Sequence, residues 1–118
     1  MPVQRDYVLR LLEVAAAALR RLRELLGAGT AAPEVIVEEA RAAQAALFGD
    51  TWPLLQRVDA ATATALIRDP RQLALWADLL AVEADASRIG GDEDRAAYLH
   101  DRAAAVAAAA ARAKGNSQ

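Results

Sequence analysis

Apolar residues recur at intervals of three and four along most of the chain, and charged residues fill many of the positions between them. This period places the apolar side chains on one face of an α-helix. Gly, Pro and Asp residues, which favour helix ends, divide the pattern into about five to six segments, and Asp59, Asp69 and Asp92 are candidate N-caps. The predicted helices run from Gln4 or Asp6 to Leu26, from Pro33 to the residue before Gly49, around Leu54 to Val58, from Asp59 to Arg68, from Arg71 to Ile89 and from Asp92 to Ala113.

The first predicted helix has a wide apolar stripe. Asp6 is its candidate N-cap, and Gly27 and Gly29 mark its end because glycine accepts the left-handed conformation there. Two neighbouring apolar rows follow the helix: Tyr7, Leu11, Ala15, Ala18, Leu22 and Leu26, and Val8, Leu12, Ala16 and Leu19. A stripe of this width can exceed what the rest of a small chain covers, and self-association would bury the surplus.

The predicted fold class is all-α, because short connections between helices favour antiparallel helical hairpins. A length of 118 residues suits a single domain. Gly49 to Pro53 is predicted as a turn. The parts of the domain are a first helical hairpin over 1–49, a short-helix connector over 50–69, a second helical hairpin over 70–113 and a disordered tail over 114–118.

The segment Leu80–Ala103 resembles the helical hairpin of the tetratricopeptide (TPR) repeat. Ala84, Ala96 and Ala103 fall where that repeat has small residues, which let its two helices pack closely. The chain differs at Ser87, where the repeat has a tyrosine. The resemblance implies a curved helical scaffold that binds peptides or partner helices.

The chain also resembles a family of small, uncharacterised bacterial helical proteins. The resemblance lies in the opening Arg5-Asp6-Tyr7-Val8-Leu9-Arg10-Leu11-Leu12-Glu13, in Leu73–Leu80 and in Ala96–Ala107. Members of this family end in a TPR-like hairpin after a leucine-rich middle, and they carry no assigned activity. The resemblance therefore supports the fold and leaves the function open.

The amino-acid composition excludes or disfavours several classes of function. The 32 Ala residues favour helices, and the chain has no Cys, which excludes disulfides and thiolate metal sites and fits a reducing cytoplasm. The net charge is −2 with both signs mixed along the chain, so nucleic-acid binding is disfavoured. The longest nearly uncharged run is too short to cross a membrane.

His100 is the only histidine, and we predict that it lies at the edge of the core or in solvent. Helical di-iron sites need Glu-x-x-His motifs on two helices, and Ala97 stands where the Glu would be. The acidic groups Glu38-Glu39 and Asp92-Glu93-Asp94 lie at the starts of predicted helices, where the helix dipole explains them. We predict no catalytic residue, no metal site, no cofactor and no enzymatic activity.

The candidate partner-binding surface consists of aromatic and arginine side chains, the types enriched at binding hot spots. Its members are Tyr7, Arg10, Trp52, Tyr98 and Arg102. Trp76 lies in a core row and is predicted to be buried. Trp52 precedes Pro53, where it either closes the end of the hairpin or stays exposed as a binding residue. For Tyr98 and Arg102, the alternative is that they only cover the edge of the core.

Two function hypotheses follow. The first is a protein–protein interaction module that binds another protein or a second copy of itself as a homodimer. The second is a small-ligand-binding or enzymatic helical domain with a pocket near His100 and Tyr98, in which titrating groups would be perturbed.

Overall fold

The computed structural model describes the backbone of residues 2–116 and the side chains of residues 6–115. Within residues 2–116 the chain is all-α and contains no strand, which confirms the predicted fold class. A 3₁₀ turn over Gly49–Thr51 joins the second and third helices. The helices are α1 (Pro2–Ala28), α2 (Pro33–Phe48), α3 (Trp52–Arg57), α4 (Ala60–Leu66), α5 (Pro70–Ile89) and α6 (Glu93–Asn116).

Aspartate caps set the starts of the three last helices. The Asp59 carboxylate accepts a 2.7 Å hydrogen bond from the Thr62 N–H. The Thr62 side chain, and after it this N–H, holds the pKa of Asp59 below its ordinary value. Asp69 accepts from the Arg71 N–H at 2.8 Å, and Asp92 accepts from the Arg95 N–H at 3.1 Å. The side-chain oxygens satisfy N–H groups that have no partner inside the helix. These contacts confirm the three predicted caps.

Several predicted boundaries are wrong, including the end of the first helix, because Gly27 lies inside α1. Helix α1 begins at Pro2, so Asp6 lies inside the helix and does not cap it. The predicted turn from Gly49 to Pro53 is helical instead, because proline is tolerated in the first turn of α3. Helix α6 continues to Asn116 and includes the first part of the predicted tail, and residues 117–118 lie outside the described range.

Helix α2 runs antiparallel to α5. The Gln72 amide donates to the Leu47 carbonyl near one end of the pair, and the Arg41 Nε donates to Glu83 nearer the other end. Gly90, which follows α5, lies beside Pro33 at the start of α2. This alignment brings the polar positions of α2 against the middle of α5.

Helices α5 and α6 form an antiparallel hairpin with a sharp turn at Gly90 and Gly91. Gly91 has a φ of +91°, a conformation that L side chains rarely adopt. Ala84, Ala96 and Ala103 are buried between the packed helices, as predicted from their spacing. Small side chains at these positions let the helix axes approach closely.

All six helices contribute to one buried cluster. Its largest fully buried apolar side chains come from five of them: Leu22, Leu47, Leu55, Leu73, Trp76, Leu79, Leu99 and Val106. The prediction that Trp76 is buried is confirmed, since none of its surface is exposed. Helix α4 contributes Ala63.

Candidate functional site

A carboxylate is buried in the middle of α5. Only 2% of the Glu83 side chain is exposed. Its Oε1 accepts a 2.9 Å hydrogen bond from the Gln44 amide, and its Oε2 accepts a 2.9 Å hydrogen bond from the Arg41 Nε. The Arg95 Nη2 lies 3.6 Å from the same Oε2. A buried charge is tolerated when it is paired and hydrogen-bonded, and Glu83 meets both conditions.

Gln44 connects this carboxylate to the aromatic core. The Gln44 side chain is completely buried, and its Oε1 accepts a 3.1 Å hydrogen bond from the Trp76 Nε1. Its amide nitrogen also donates to the Ala40 carbonyl at 3.2 Å. The polar groups of Trp76, Gln44, Glu83 and Arg41 therefore form one continuous hydrogen-bonded chain between α5 and α2.

Three aromatic rings pack at the end of this chain. Phe48 and Trp52 are stacked with centroids 6.2 Å apart, and Trp76 meets both rings edge-on at 5.1 and 6.2 Å. Trp52 is half-buried. Of the two roles considered for Trp52, the structure favours closing the end of the α2–α3 connection, because its ring packs against the core.

Arg102 differs most from its prediction. We expected it on an exposed partner-binding surface, yet only 8% of the residue is exposed. Its guanidinium donates to the carbonyls of Leu55 and Val58 at the C-terminal end of α3 and lies 5.4 Å from the centroid of the Trp76 ring. These carbonyls lack partners inside their helix, so a cation there satisfies them and complements the helix dipole.

A recess of about 220 Å³ opens beside the polar network, between α2, α3, α5 and α6. Arg41, Arg95 and Arg102 line it with Glu83, so three cations minus one anion give a net charge of +2. The Trp52 and Tyr98 side chains also line it. A neighbouring depression of about 490 Å³ shares Arg41 and Arg95 with the recess and is also lined by Glu34, Glu38 and Asp92. Another of about 510 Å³ lies between α4 and α6, and no buried charged side chain lines either of them in the described part of the chain.

Arg95 is the least engaged of the three arginines. Its nearest carboxylate contact is the 3.6 Å approach to Glu83, and its guanidinium lies 5.4 Å from the centroid of the Tyr98 ring. The Arg95 Nε has no hydrogen-bond partner among the described residues. Since 40% of its side chain is exposed, Arg95 can reorient toward a ligand.

The predicted surface residues separate into two groups. Tyr7 is 60% exposed and Arg10 is also exposed on α1, a helix that contributes no lining residue to the recess. Trp52 and Tyr98 line the recess, and Tyr98 is 49% exposed. Of the five predicted residues, the structure therefore brings Trp52, Tyr98 and Arg102 to the recess, whereas Tyr7 and Arg10 do not line it.

His100 does not line the recess. Its Nε2 lies 3.2 Å from the Asp85 Oδ1 on α5, without an aligned hydrogen bond, and a third of its side chain is exposed. The neighbouring acid, Asp85, comes from the other helix of the hairpin and was not considered in the sequence. Among the described residues, no group of three or more His, Asp or Glu side chains could hold a metal ion.

The central residues of the network were missed in the sequence. Glu83 stands among the apolar residues Leu80, Val82 and Ala84, and Gln44 stands between Ala43 and Ala45. A charged or amide side chain in a core row is the signal that could have found them, because burying it requires a polar partner.

A second surface lies between α1 and α2. A shallow groove there is lined by Ala18, Leu22, Ala42 and Ala43, with Arg21 and Glu39 beside them. Three side chains spaced along the same face of α1, Tyr7, Leu11 and Val14, extend the apolar character towards the N-terminus. We call Tyr7, Leu11, Val14, Ala18, Ala42 and Ala46 the α1–α2 surface.

No helix in residues 2–116 combines the length and the apolarity that crossing a membrane requires. Comparison with known proteins finds no matching family model, no matching curated protein and no matching solved structure.

Proposed function

We propose that this chain is a cytoplasmic protein–protein interaction module with a TPR-like C-terminal hairpin, and that it binds through the α1–α2 surface. The observation that carries the proposal is the exposure of large apolar side chains on α1. Val14 is 56% exposed and Tyr7 is 60% exposed, although both continue the apolar stripe of that helix. Burying a side chain of this size stabilises a complex by about 1.5–3 kcal/mol.

The chemistry of the α1–α2 surface suits a helix as its partner. Ala18, Ala42 and Ala46 are small, so the backbone of an incoming helix can come close. An amphipathic helix presents apolar residues at the same three- and four-residue spacing and fits a groove between two helices. The exposed Arg10, one turn from Val14, lies at the edge of this surface and can pair with an acidic residue of the partner.

A second copy of α1 is the first partner to test. Two-fold pairing would place the α1–α2 surfaces of two chains against each other, since a two-fold interface uses the same patch on both subunits. A stable interface needs to bury about 1,200 Å² or more in total. The length of α1, 27 residues, allows contacts along several turns.

The test is sedimentation velocity over about 1–100 μM, the range in which a dimer with a micromolar Kd dissociates. The Val14→Arg variant places a charge in the middle of the surface. The Ala104→Arg variant places the same charge at an exposed position of α6, a helix that contributes no residue to the α1–α2 surface, and is the matched control. A native dimer that becomes monomeric only with Val14→Arg supports self-association.

If the native chain is monomeric, the partner is another protein, and affinity capture with the same three baits tests it. A protein retained by the native and Ala104→Arg baits and lost by Val14→Arg supports the proposal. A monomer whose captured proteins are identical for all three baits contradicts it. Circular dichroism confirms that each variant is folded.

A second candidate function is small-ligand binding near Tyr98. One observation favours it: the recess joins Tyr98 to a partly buried group of arginines. We leave His100 out of this candidate, because it pairs with Asp85 and does not line the recess.

A further inference from the structure

We propose that the recess between α2, α3, α5 and α6 binds the phosphate group of a small organic phosphate. The inference rests on the second candidate function and is independent of the α1–α2 surface. The two sites use different faces of α2: Arg41 and Gln44 line the recess, whereas Ala42 and Ala46 belong to the α1–α2 surface.

The first argument is the net positive charge of the residues that line the recess. Glu83 is the only carboxylate among the residues that line the recess, and it is already paired with Arg41 at 2.9 Å. Arg102 is held by two backbone carbonyls, which carry partial charges only. The net charge of +2 on the residues that line the recess is about equal and opposite to the charge of a phosphate monoester, which is about −1.5 to −2 at neutral pH. A monocarboxylate would leave half of this net charge uncompensated.

The second argument is the supply of hydrogen-bond donors. A guanidinium has five N–H donors and recognises phosphate through pairs of them. Arg41 uses its Nε on Glu83, and Arg95 makes only a 3.6 Å contact to the same carboxylate. The Arg95 Nε lacks an acceptor among the described residues. Because about half of each side chain is exposed, both head groups can direct their remaining donors into the recess.

The third argument is the shape of the recess. A volume of about 220 Å³ is smaller than the roughly 300–1,000 Å³ of pockets that enclose drug-sized ligands. The recess therefore holds an anionic group with few further atoms, and the rest of the ligand would lie at the mouth. Trp52 and Tyr98 supply aromatic surface beside the arginines, which suits an organic phosphate with an apolar or aromatic part.

The test is isothermal titration calorimetry of the full chain with phenyl phosphate and benzoate at equal ionic strength. These probes share an aromatic ring and differ in the charge of the anionic group. We expect one binding site for phenyl phosphate and affinity for benzoate lower by about tenfold or more, since hydrogen bonds to charged groups are the strong ones. Equal affinity for the two probes, or no heat from phenyl phosphate, would overturn the proposal.

Three variants test whether phenyl phosphate binds in the recess. Arg95→Gln should weaken phenyl phosphate binding by about tenfold or more, because it removes a charge and several donors. Glu83→Gln should strengthen binding several-fold by raising the net charge of the residues that line the recess from +2 to +3, if that variant folds. Arg23→Gln removes an exposed arginine of α1 as the matched control and should bind like the native chain. Native-like binding by Arg95→Gln would overturn the proposal.

The Val14→Arg variant separates this inference from the proposed interaction surface. It should bind phenyl phosphate as the native chain does, because Val14 does not line the recess. Loss of self-association with retained phenyl phosphate binding in Val14→Arg would concern only the α1–α2 surface. Loss of phenyl phosphate binding with retained self-association in Arg95→Gln would concern only the recess.

Discussion

The buried amide of Gln44 leads to a quantitative prediction about stability. The substitution Gln44→Leu keeps a side chain of similar size but removes the acceptor of the Trp76 N–H and one donor to the Glu83 carboxylate. Both partners would remain buried and under-satisfied.

The expected magnitude follows from the two lost contacts. An unsatisfied neutral N–H costs about 1–3 kcal/mol, and a lost hydrogen bond to a charged group costs about 1.5–3 kcal/mol. Burying an apolar leucine in place of an amide offsets about 1.5–3 kcal/mol of this loss. We therefore expect the free energy of unfolding to fall by about 2 kcal/mol, a large share of the roughly 5–15 kcal/mol typical of a domain.

The assay is urea unfolding followed by circular dichroism, with the free energy taken by linear extrapolation. Gln56→Leu is the matched control, since Gln56 is exposed and its replacement should change stability by less than about 0.5 kcal/mol. Trp76→Phe, alone and combined with Gln44→Leu, measures the coupling between the two side chains, for which we expect about 1 kcal/mol. A Gln44→Leu variant as stable as the Gln56→Leu control would refute a stabilising network.

Three further predictions concern helix ends. Asp69→Ala should lower the free energy of unfolding by about 1 kcal/mol at pH 7. Because the Arg71 side chain holds the pKa of Asp69 below its ordinary value, this contribution is present above about pH 4 and is lost as the pH falls through the lower, folded-state pKa. Unfolding of the native and variant proteins at several pH values would show this dependence. Gly91→Ala should lower the free energy of unfolding by about 1–2 kcal/mol, because Gly91 has a positive φ that alanine rarely adopts. Gly27→Ala should instead raise it by about 0.5–1 kcal/mol, because Gly27 lies inside α1 with open space around it. Equal effects of the two substitutions in thermal unfolding would contradict this reasoning. Arg102→Met should lower the free energy of unfolding by about 2 kcal/mol, since it leaves the carbonyls at the end of α3 without a donor. It should also speed hydrogen exchange in α3 more than in α1. An equal increase in exchange in both helices would argue against a role of Arg102 in holding the end of α3.

Much of the fold could be predicted because it depends on residues close in the sequence. Asp59, Asp69 and Asp92 bond to N–H groups two or three residues away, so their spacing alone identifies three helix starts. The period of the apolar rows likewise predicts the helices and the burial of Trp76, because a helix presents every third or fourth residue to the same side.

The candidate site could be predicted only in part. Tyr98 and Trp52 were selected as aromatic residues near helix edges, and they do line the recess. Arg102 was expected to be exposed beside Tyr98, four residues away on the same helix. Its side chain turns inward because the end of α3 offers two carbonyls, and the approach of α3 to α6 joins residues 44 and 47 positions apart.

The helical character of the chain, most helix starts and the rows that face the core follow from the sequence alone, because backbone hydrogen bonds, caps and helical period act over a few residues. The packing of the helices was needed to show that Gln44, Trp76 and Glu83 share one hydrogen-bonded chain, and that three arginines surround one carboxylate. Those arrangements depend on which helix faces which and at what alignment. The local period cannot specify this, because every apolar stripe fits several neighbours about equally well.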